Sequence, residues 1–128
     1  MDLTTLRPED TRSSVLNLVQ KVSRLRDEYP DYPLPASICV YPNFASTVRD
    51  NRVSEDLHVT CVAGCFPSSQ SFLEVKVREV ELAIENGADE IDIVLALNAF
   101  LGGKEEAAAE EIRTIKKVCG DSVILKVI

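Results

Sequence analysis

The chain has 128 residues, of which 45% are hydrophobic and 27% are charged, and its formal net charge at pH 7 is −7. This length and composition fit one ordinary globular domain, and no apolar run approaches the roughly 20 residues that a membrane span requires. The acidic balance argues against a nucleic-acid-binding face, which requires clustered Lys and Arg. Because Met1-Asp2-Leu3 shows neither a basic segment nor an apolar signal core, we expect a cytoplasmic protein.

The cysteines and the single histidine argue against a metal site. Cys39, Cys61, Cys65 and Cys119 form no Cys-x-x-Cys pair, and His58 is the only histidine. A free cysteine in apolar surroundings is usually a small core residue. We therefore expect reduced thiols without a metal ion, and a surface position for His58 at the end of a strand.

The pattern of apolar residues predicts alternating helices and strands. Asp10-Thr11 can cap a first helix, and helical spacing recurs over 73–84 and 108–118, with a short helix over 43–51. The predicted strands are short and rich in β-branched residues. There are four of them: Ala36–Tyr41, His58–Ala63, Glu90 to Val94 or Leu95, and Val123–Ile128.

This alternation predicts an α/β fold in which helices connect the strands of a parallel sheet. No linker divides the chain, so residues 1–128 form a single domain. The last predicted strand has no helix after it and would leave an open sheet edge, which natural proteins usually pair or cover. We therefore expect a partial domain that belongs to something larger.

One carboxylate stands out in the third predicted strand. Asp92 lies between Ile91 and Ile93, and a buried carboxylate costs several kcal/mol unless it is paired. Because side chains alternate along a strand, Asp92 and Lys126 can face the same side of neighbouring strands and meet. Such a pair is either a structural ion pair or a proton-transfer couple, and the spacing leaves both open.

Other polar residues would face the same side. Cys39 would lie inside the first predicted strand, and either Thr60 or Cys61 inside the second. In a β/α barrel, the inward positions near the carboxyl ends of the strands carry the active site.

Five motifs, in this order and spacing, resemble those of the deoxyribose-phosphate aldolase family. The resemblance covers essentially the whole chain and implies a TIM (β/α)8 barrel, present here as a half-barrel of about four strands. It also implies a class I aldolase that cleaves 2-deoxy-D-ribose 5-phosphate to D-glyceraldehyde 3-phosphate and acetaldehyde, through a lysine Schiff base and with no metal or other cofactor. The motifs are Asp2-Leu3-Thr4-Thr5-Leu6, Ile38-Cys39-Val40-Tyr41-Pro42, Phe66-Pro67, Gly87-Ala88-Asp89-Glu90-Ile91-Asp92-Ile93-Val94 and Leu125-Lys126-Val127-Ile128.

The resemblance implies roles for five residues. Asp92 corresponds to the acid–base of the proton relay, and Lys126 to the inward lysine that hydrogen-bonds it. Asp2 and Thr4 belong to the rim of the substrate site, and Cys39 lies beside the substrate.

Two lysine motifs of the family do not occur in these residues. One is Lys-Thr-Ser-Thr-Gly, which carries the imine-forming lysine, and the other is Phe-Lys-Pro-Ala-Gly-Gly. The phosphate-binding glycine loops of the second half are missing as well. We therefore expect the chain alone to be inactive, and to self-associate or pair with a complementary C-terminal half through open edges at the first and fourth predicted strands.

Three alternatives remain open at this stage. The chain could be a non-catalytic half-barrel, serving as a scaffold or a small-ligand-binding module, with a purely structural Asp92–Lys126 pair. Lys126 could itself form an imine if desolvation lowered its pKa. A doubly wound α/β domain is also conceivable, but it requires helices on both faces of the sheet.

Overall fold

A computed structural model describes residues 1–128 and contains one sheet of five parallel strands. Neighbours in the sheet are neighbours in the chain, and every pair is parallel. This topology confirms the predicted α/β fold with parallel β/α units, and it is that of a partial β/α barrel. The strands are β1 (Asp2–Thr4), β2 (Ser37–Val40), β3 (His58–Val62), β4 (Glu90–Ile93) and β5 (Ile124–Val127).

Five helices connect the strands, and none of them is long and apolar enough to cross a membrane. The first begins as predicted, since the Thr11 side chain accepts a hydrogen bond from the backbone N–H of Ser14. The third ends before Gly87, whose φ of 104° favours glycine. The helices are α1 (Arg12–Glu28), α2 (Ala45–Arg49), α3 (Leu73–Glu85), α4 (Leu97–Leu101) and α5 (Glu105–Cys119), and a 3₁₀ turn over Pro42–Phe44 precedes α2.

The predicted number of four strands is wrong by one, because the sequence prediction missed β1. Three residues are too few for strand alternation to show. β1 forms because β2 offers it a parallel partner, with Asp2 opposite Ser37 and Thr4 opposite Cys39. The open edges are therefore β1 and β5, and the first predicted strand is an interior one. The helix α4 was also missed, because its five residues are too few for helical periodicity to show.

One face of the sheet packs against the helices in a core of 19 buried residues. Because α1, α2, α3 and α5 all contribute to this one core, the doubly wound alternative, with helices on both faces, is wrong. The strand side chains in this core include Ile38, Val40, Val59, Cys61, Ile91 and Ile93, and the helical ones include Val15, Val19, Val22, Val48, Val80, Ala83 and Ile115.

Asp89, just before β4, connects that strand to β3 and to the segment preceding β3. Its Oδ2 accepts hydrogen bonds from the backbone N–H of Val59 at 2.8 Å and from Nη1 of Arg52 at 2.5 Å. Arg52 also donates to the carbonyl of Leu57 at 3.1 Å. This carboxylate therefore helps to set the register in which Asp92 faces its neighbours.

We predict that Asp89→Ala lowers the free energy of unfolding by about 2 kcal/mol, because it leaves the backbone N–H of Val59 without its acceptor and the Arg52 guanidinium without its carboxylate. Urea unfolding monitored by circular dichroism measures this. The matched control is Asp50→Ala, since Asp50 pairs with Arg49 but its side chain is 58% exposed. The control should cost less than about 0.5 kcal/mol, and equal losses would contradict the role given to Asp89.

Candidate active site

The face of the sheet opposite the helices carries polar side chains. Strand alternation directs every second residue to this side, and Thr60 lies there while Cys61 belongs to the core. The sequence pattern alone allows either residue at this position. The residues on this face are Asp2 and Thr4 on β1, Ser37 and Cys39 on β2, His58 and Thr60 on β3, Glu90 and Asp92 on β4, and Lys126 on β5.

The sheet curves strongly around this polar face. β1 and β5 are its two edges, and in a flat five-stranded sheet they would lie about 19 Å apart. Lys126 Nζ on β5 nevertheless donates a hydrogen bond to Asp2 Oδ2 on β1, at 2.9 Å. One lysine and one aspartate side chain cannot span a flat sheet of that width. The polar face is therefore concave, and it forms part of a barrel interior.

Lys126 is the centre of a cluster of three carboxylates. Its Nζ lies 2.9 Å from Asp2 Oδ2, 2.8 Å from Glu90 Oε2 and 3.1 Å from Asp92 Oδ1. Asp92 and Lys126 occupy paired positions in β4 and β5, one residue before each strand ends. The contact predicted from alternation is therefore present, at the carboxyl end of the strands.

Glu90 belongs to this cluster, and the sequence analysis missed it. Its Oε1 lies 2.7 Å from His58 Nδ1, and its Oε2 accepts a hydrogen bond from the Thr60 hydroxyl at 3.1 Å. The signal was present, because Glu90 precedes Asp92 by two residues in one strand and so faces the same side. His58 begins β3, as expected, but it contacts this buried carboxylate.

The ammonium of Lys126 is strongly stabilised. Desolvation favours the neutral amine, but the contacts with Glu90, Asp2 and Asp92 outweigh it and raise the pKa of Lys126. The net shift is opposite to the one that imine formation on Lys126 would require. An amine that stays protonated is a poor nucleophile for imine formation.

The pKa of Asp92 moves in the opposite direction from those of the other two carboxylates. Burial raises the pKa of Asp92, and the nearby Lys126 only partly offsets this. Burial also acts on Glu90, but hydrogen bonds from Lys126 and His58 outweigh it and lower its pKa. The Lys126 hydrogen bond lowers the pKa of Asp2. Asp92 is thus the carboxylate of the cluster that most readily takes up a proton.

The hydrogen bonding of Asp92 agrees with this difference. Its Oδ1 is buried and accepts no hydrogen bond of acceptable geometry, although Lys126 Nζ is only 3.1 Å away. Buried acceptors without a partner are rare in native proteins and call for an explanation. Of the buried side-chain oxygens and nitrogens of the chain, this oxygen is the one without a hydrogen-bond partner.

Thr4 and Cys39 lie opposite each other in β1 and β2. Cys39 is buried, and desolvation together with the charge of Asp92 raises the pKa of its thiol to about 11. The thiol is therefore neutral near pH 7 and is not an activated nucleophile. Thr4 is exposed at the end of β1, where it can contact a ligand.

The described site thus combines a fixed ammonium with a basic, poorly hydrogen-bonded carboxylate. A pair of groups whose pKa values are displaced in this way can move protons to and from a bound molecule. The chain contains no group of three or more His, Cys, Asp or Glu side chains that could hold a metal ion.

Comparisons with known proteins agree with this architecture. A relative from Caenorhabditis elegans named "Putative deoxyribose-phosphate aldolase" is 39% identical over 95% of this chain and 41% of its own length. Among solved structures, the aldolase QR15 has a TM-score of 0.84 at 28% identity, over 99% of this chain and 52% of its own. The tetrameric deoxyribose phosphate aldolase of Aeropyrum pernix has a TM-score of 0.71 at 27% identity, over 98% of this chain and 49% of its own.

The chain therefore spans about half the length of the relatives that it matches. The sequence model of the DeoC/LacD family of aldolases matches all of residues 1–128. The half-barrel fold, the polar concave face and these similarities agree, and the chain belongs to the DeoC/LacD aldolase family.

Proposed function

We propose that the chain supplies the proton relay of a deoxyribose-phosphate aldolase, which cleaves 2-deoxy-D-ribose 5-phosphate to D-glyceraldehyde 3-phosphate and acetaldehyde. The contact between Asp92 and Lys126 near the carboxyl ends of β4 and β5 carries this proposal. Active sites of β/α barrels lie at this end of the strands. A buried carboxylate with a raised pKa can take a proton from the substrate and return it.

The neighbouring residues have supporting roles in this proposal. Lys126 keeps its charge and stabilises negative charge that develops on the substrate or on Asp92. Asp2 hydrogen-bonds Lys126 and, with Thr4, borders the substrate on β1. Cys39 contributes a neutral, buried wall beside the substrate.

The nucleophile of the proposed reaction is a second lysine that lies outside these 128 residues. Lys126 is held as an ammonium by three carboxylates, and no Lys-Thr-Ser-Thr-Gly segment occurs in the sequence. The phosphate site would come from the same missing β/α units. On this proposal, a Schiff base forms only after a complementary half has completed the barrel.

The exposed edge of β5 supports such a partner. Ile124, Val127 and Ile128 are 48%, 44% and 65% exposed, and no strand pairs with the outer side of β5. Unpaired strand edges readily add another strand. We propose that a complementary half occupies this edge, and that the chain alone self-associates there.

Four free cysteines fit a reducing compartment such as the cytoplasm.

A second candidate is a non-catalytic half-barrel that serves as a scaffold or binds a small ligand. The observation in its favour is the saturation of Lys126 by three carboxylates, since ion-pair networks of this kind also occur for purely structural reasons. The two candidates predict opposite effects when the charge of Asp92 is removed.

We first predict that the chain alone gives no adduct on Lys126 when it is treated with acetaldehyde and borohydride, because this amine stays protonated. Mixed with the part of the Caenorhabditis elegans relative that follows the matched region, it should give an adduct on a lysine of that added part. Mass spectrometry of the digested proteins locates the adduct. An adduct on Lys126 itself would overturn the assignment of roles.

The same mixture tests Asp92 directly. Asp92→Asn should lower the rate of deoxyribose 5-phosphate cleavage by roughly 10²–10⁴-fold, the usual contribution of a general acid–base. The matched control is Asp121→Asn, because Asp121 is exposed in the turn before β5. A mixture in which both variants keep full activity would exclude the relay.

We next predict that Asp92→Asn stabilises the folded chain at pH 7 by about 1 kcal/mol, as substitutions at functional sites often do. Since folding raises the pKa of Asp92, its ionised form opposes folding above that pKa. The gain should therefore disappear as the pH falls below about 4, where Asp92 is protonated in both states. Urea unfolding at several pH values measures it.

Asp2→Asn should change the stability of the folded chain in the opposite direction from Asp92→Asn. Folding lowers the pKa of Asp2, so its charge stabilises the fold above the ordinary aspartate pKa, and its removal should destabilise the chain at pH 7. Destabilisation by Asp92→Asn at pH 7 would favour the structural candidate over the catalytic one.

We also predict that the chain alone forms dimers or larger species at micromolar concentration, because the edge of β5 is open. Sedimentation velocity and light scattering measure the mass. Val127→Lys places a charge at this edge and should shift the chain towards the monomer. Lys117→Arg, on α5, is a control that preserves the charge. A folded monomer at all concentrations would contradict the assignment of β5 as an interface.

A further inference from the structure

Glu90 is the most completely held carboxylate of the concave face. Its side chain is 10% exposed, and both of its oxygens have partners. Oε1 lies 2.7 Å from His58 Nδ1, while Oε2 contacts Lys126 Nζ at 2.8 Å and accepts from Thr60 at 3.1 Å. The Thr60 hydroxyl is in turn 2.7 Å from that of Ser37. Residues from three strands therefore fix the position of this carboxylate.

This arrangement determines where the Lys126 ammonium points. Asp2 receives a hydrogen bond from Nζ at 2.9 Å, and Glu90 Oε2 is closer still, at 2.8 Å. Asp92 Oδ1 is the most distant of the three partners, at 3.1 Å, and it accepts no hydrogen bond of acceptable geometry. Asp2 accepts the hydrogen bond of acceptable geometry, while Glu90 and Asp92 are both ion-pair contacts, and Nζ lies nearer to Glu90 than to Asp92.

We propose that Glu90 is a positioning residue which, together with Asp2, holds the Lys126 ammonium so that Asp92 Oδ1 stays without a hydrogen-bond donor. Asp92 Oδ1 is thereby left less well paired than the oxygens of Glu90 and Asp2. The use of that oxygen in aldol chemistry rests on the proposed function. The geometric role of Glu90 does not, because it concerns only contacts within this chain.

Two effects of Glu90 act on Asp92 in the same direction. Its negative charge on the same strand disfavours ionisation of Asp92, and its 2.8 Å contact holds Lys126 Nζ nearer to Glu90 than to Asp92, which lies at 3.1 Å. The other groups facing Asp92 are Lys126 on β5, Asp2 on β1 and Cys39 on β2. His58 reaches this cluster only through Glu90.

The test is a titration of Asp92 in the 128-residue chain, followed by the ¹³C chemical shift of its side-chain carboxyl carbon. In Glu90→Gln the repulsive charge is gone and Lys126 is free to donate to Asp92. The pKa of Asp92 should therefore fall by about one unit, the lower end of the effect of a nearby opposite charge. Dispersed amide signals in the same samples establish that the variant is folded.

Two further variants make the result specific. Glu85→Gln makes the same chemical change at an exposed glutamate that pairs with Arg78, and it should leave the Asp92 pKa where it was. Glu90→Asp keeps the charge but withdraws the carboxylate from Lys126, so the fall should have the same sign and be smaller. It also carries the test if Glu90→Gln does not fold.

An unchanged Asp92 pKa in a folded Glu90 variant would overturn the proposal, as would an equal fall in Glu85→Gln. The titration needs neither substrate nor a second lysine, so its outcome is separate from that of borohydride trapping. If trapping fails while the Asp92 pKa falls in Glu90→Gln, the role of Glu90 stands and the aldolase function does not. The reverse pair of results would retain the function and remove Glu90 from it.

Discussion

The ammonium of Lys126, held between three carboxylates, is the interaction on which this structure depends. It connects β1, β4 and β5, and β1 and β5 are the two edges of the sheet. A contact between edge strands is possible only if the sheet is strongly curved. The curvature turns one face into a concave polar surface, while the convex face supplies the apolar core shared with the helices. The contacts of Lys126 that form the site are thus the same contacts that require the curvature of the sheet.

The cluster also explains why, of its three carboxylates, only Asp92 has a raised pKa. Three carboxylates share one ammonium, so full ionisation would leave excess negative charge in a partly buried region. Lys126 and the donors on β3 stabilise Glu90, and Lys126 stabilises Asp2, which leaves Asp92 as the group whose pKa rises. An arrangement optimised only for stability would give every buried carboxylate a full set of donors. Asp92 Oδ1 lacks such a donor, and its proposed role in the proton relay rests on this feature.

The sequence predicted those features that depend on local periodicity. Strand alternation correctly brought Asp92 and Lys126 together, and the glycine after α3 correctly ended that helix. β1 was missed, because a three-residue strand is specified by its partner rather than by its own pattern. The sign of the Lys126 pKa shift was missed as well, since it depends first on Glu90 and then on Asp2, which is 124 positions away in the chain. Glu90 was within reach of the alternation argument that identified Asp92.

The raised pKa of Lys126 bears on how an aldolase of this family divides its work. An imine-forming lysine must lose its proton, whereas an ammonium that orients a carboxylate must keep it. One side chain cannot do both, so the proposed reaction requires a second lysine with fewer carboxylates around it. The contacts around Lys126 favour its ammonium form, and on the proposed function the nucleophile is a different lysine. The relay and the nucleophile would then meet across the interior of a completed barrel, with the concave face of β1–β5 as one wall of the site.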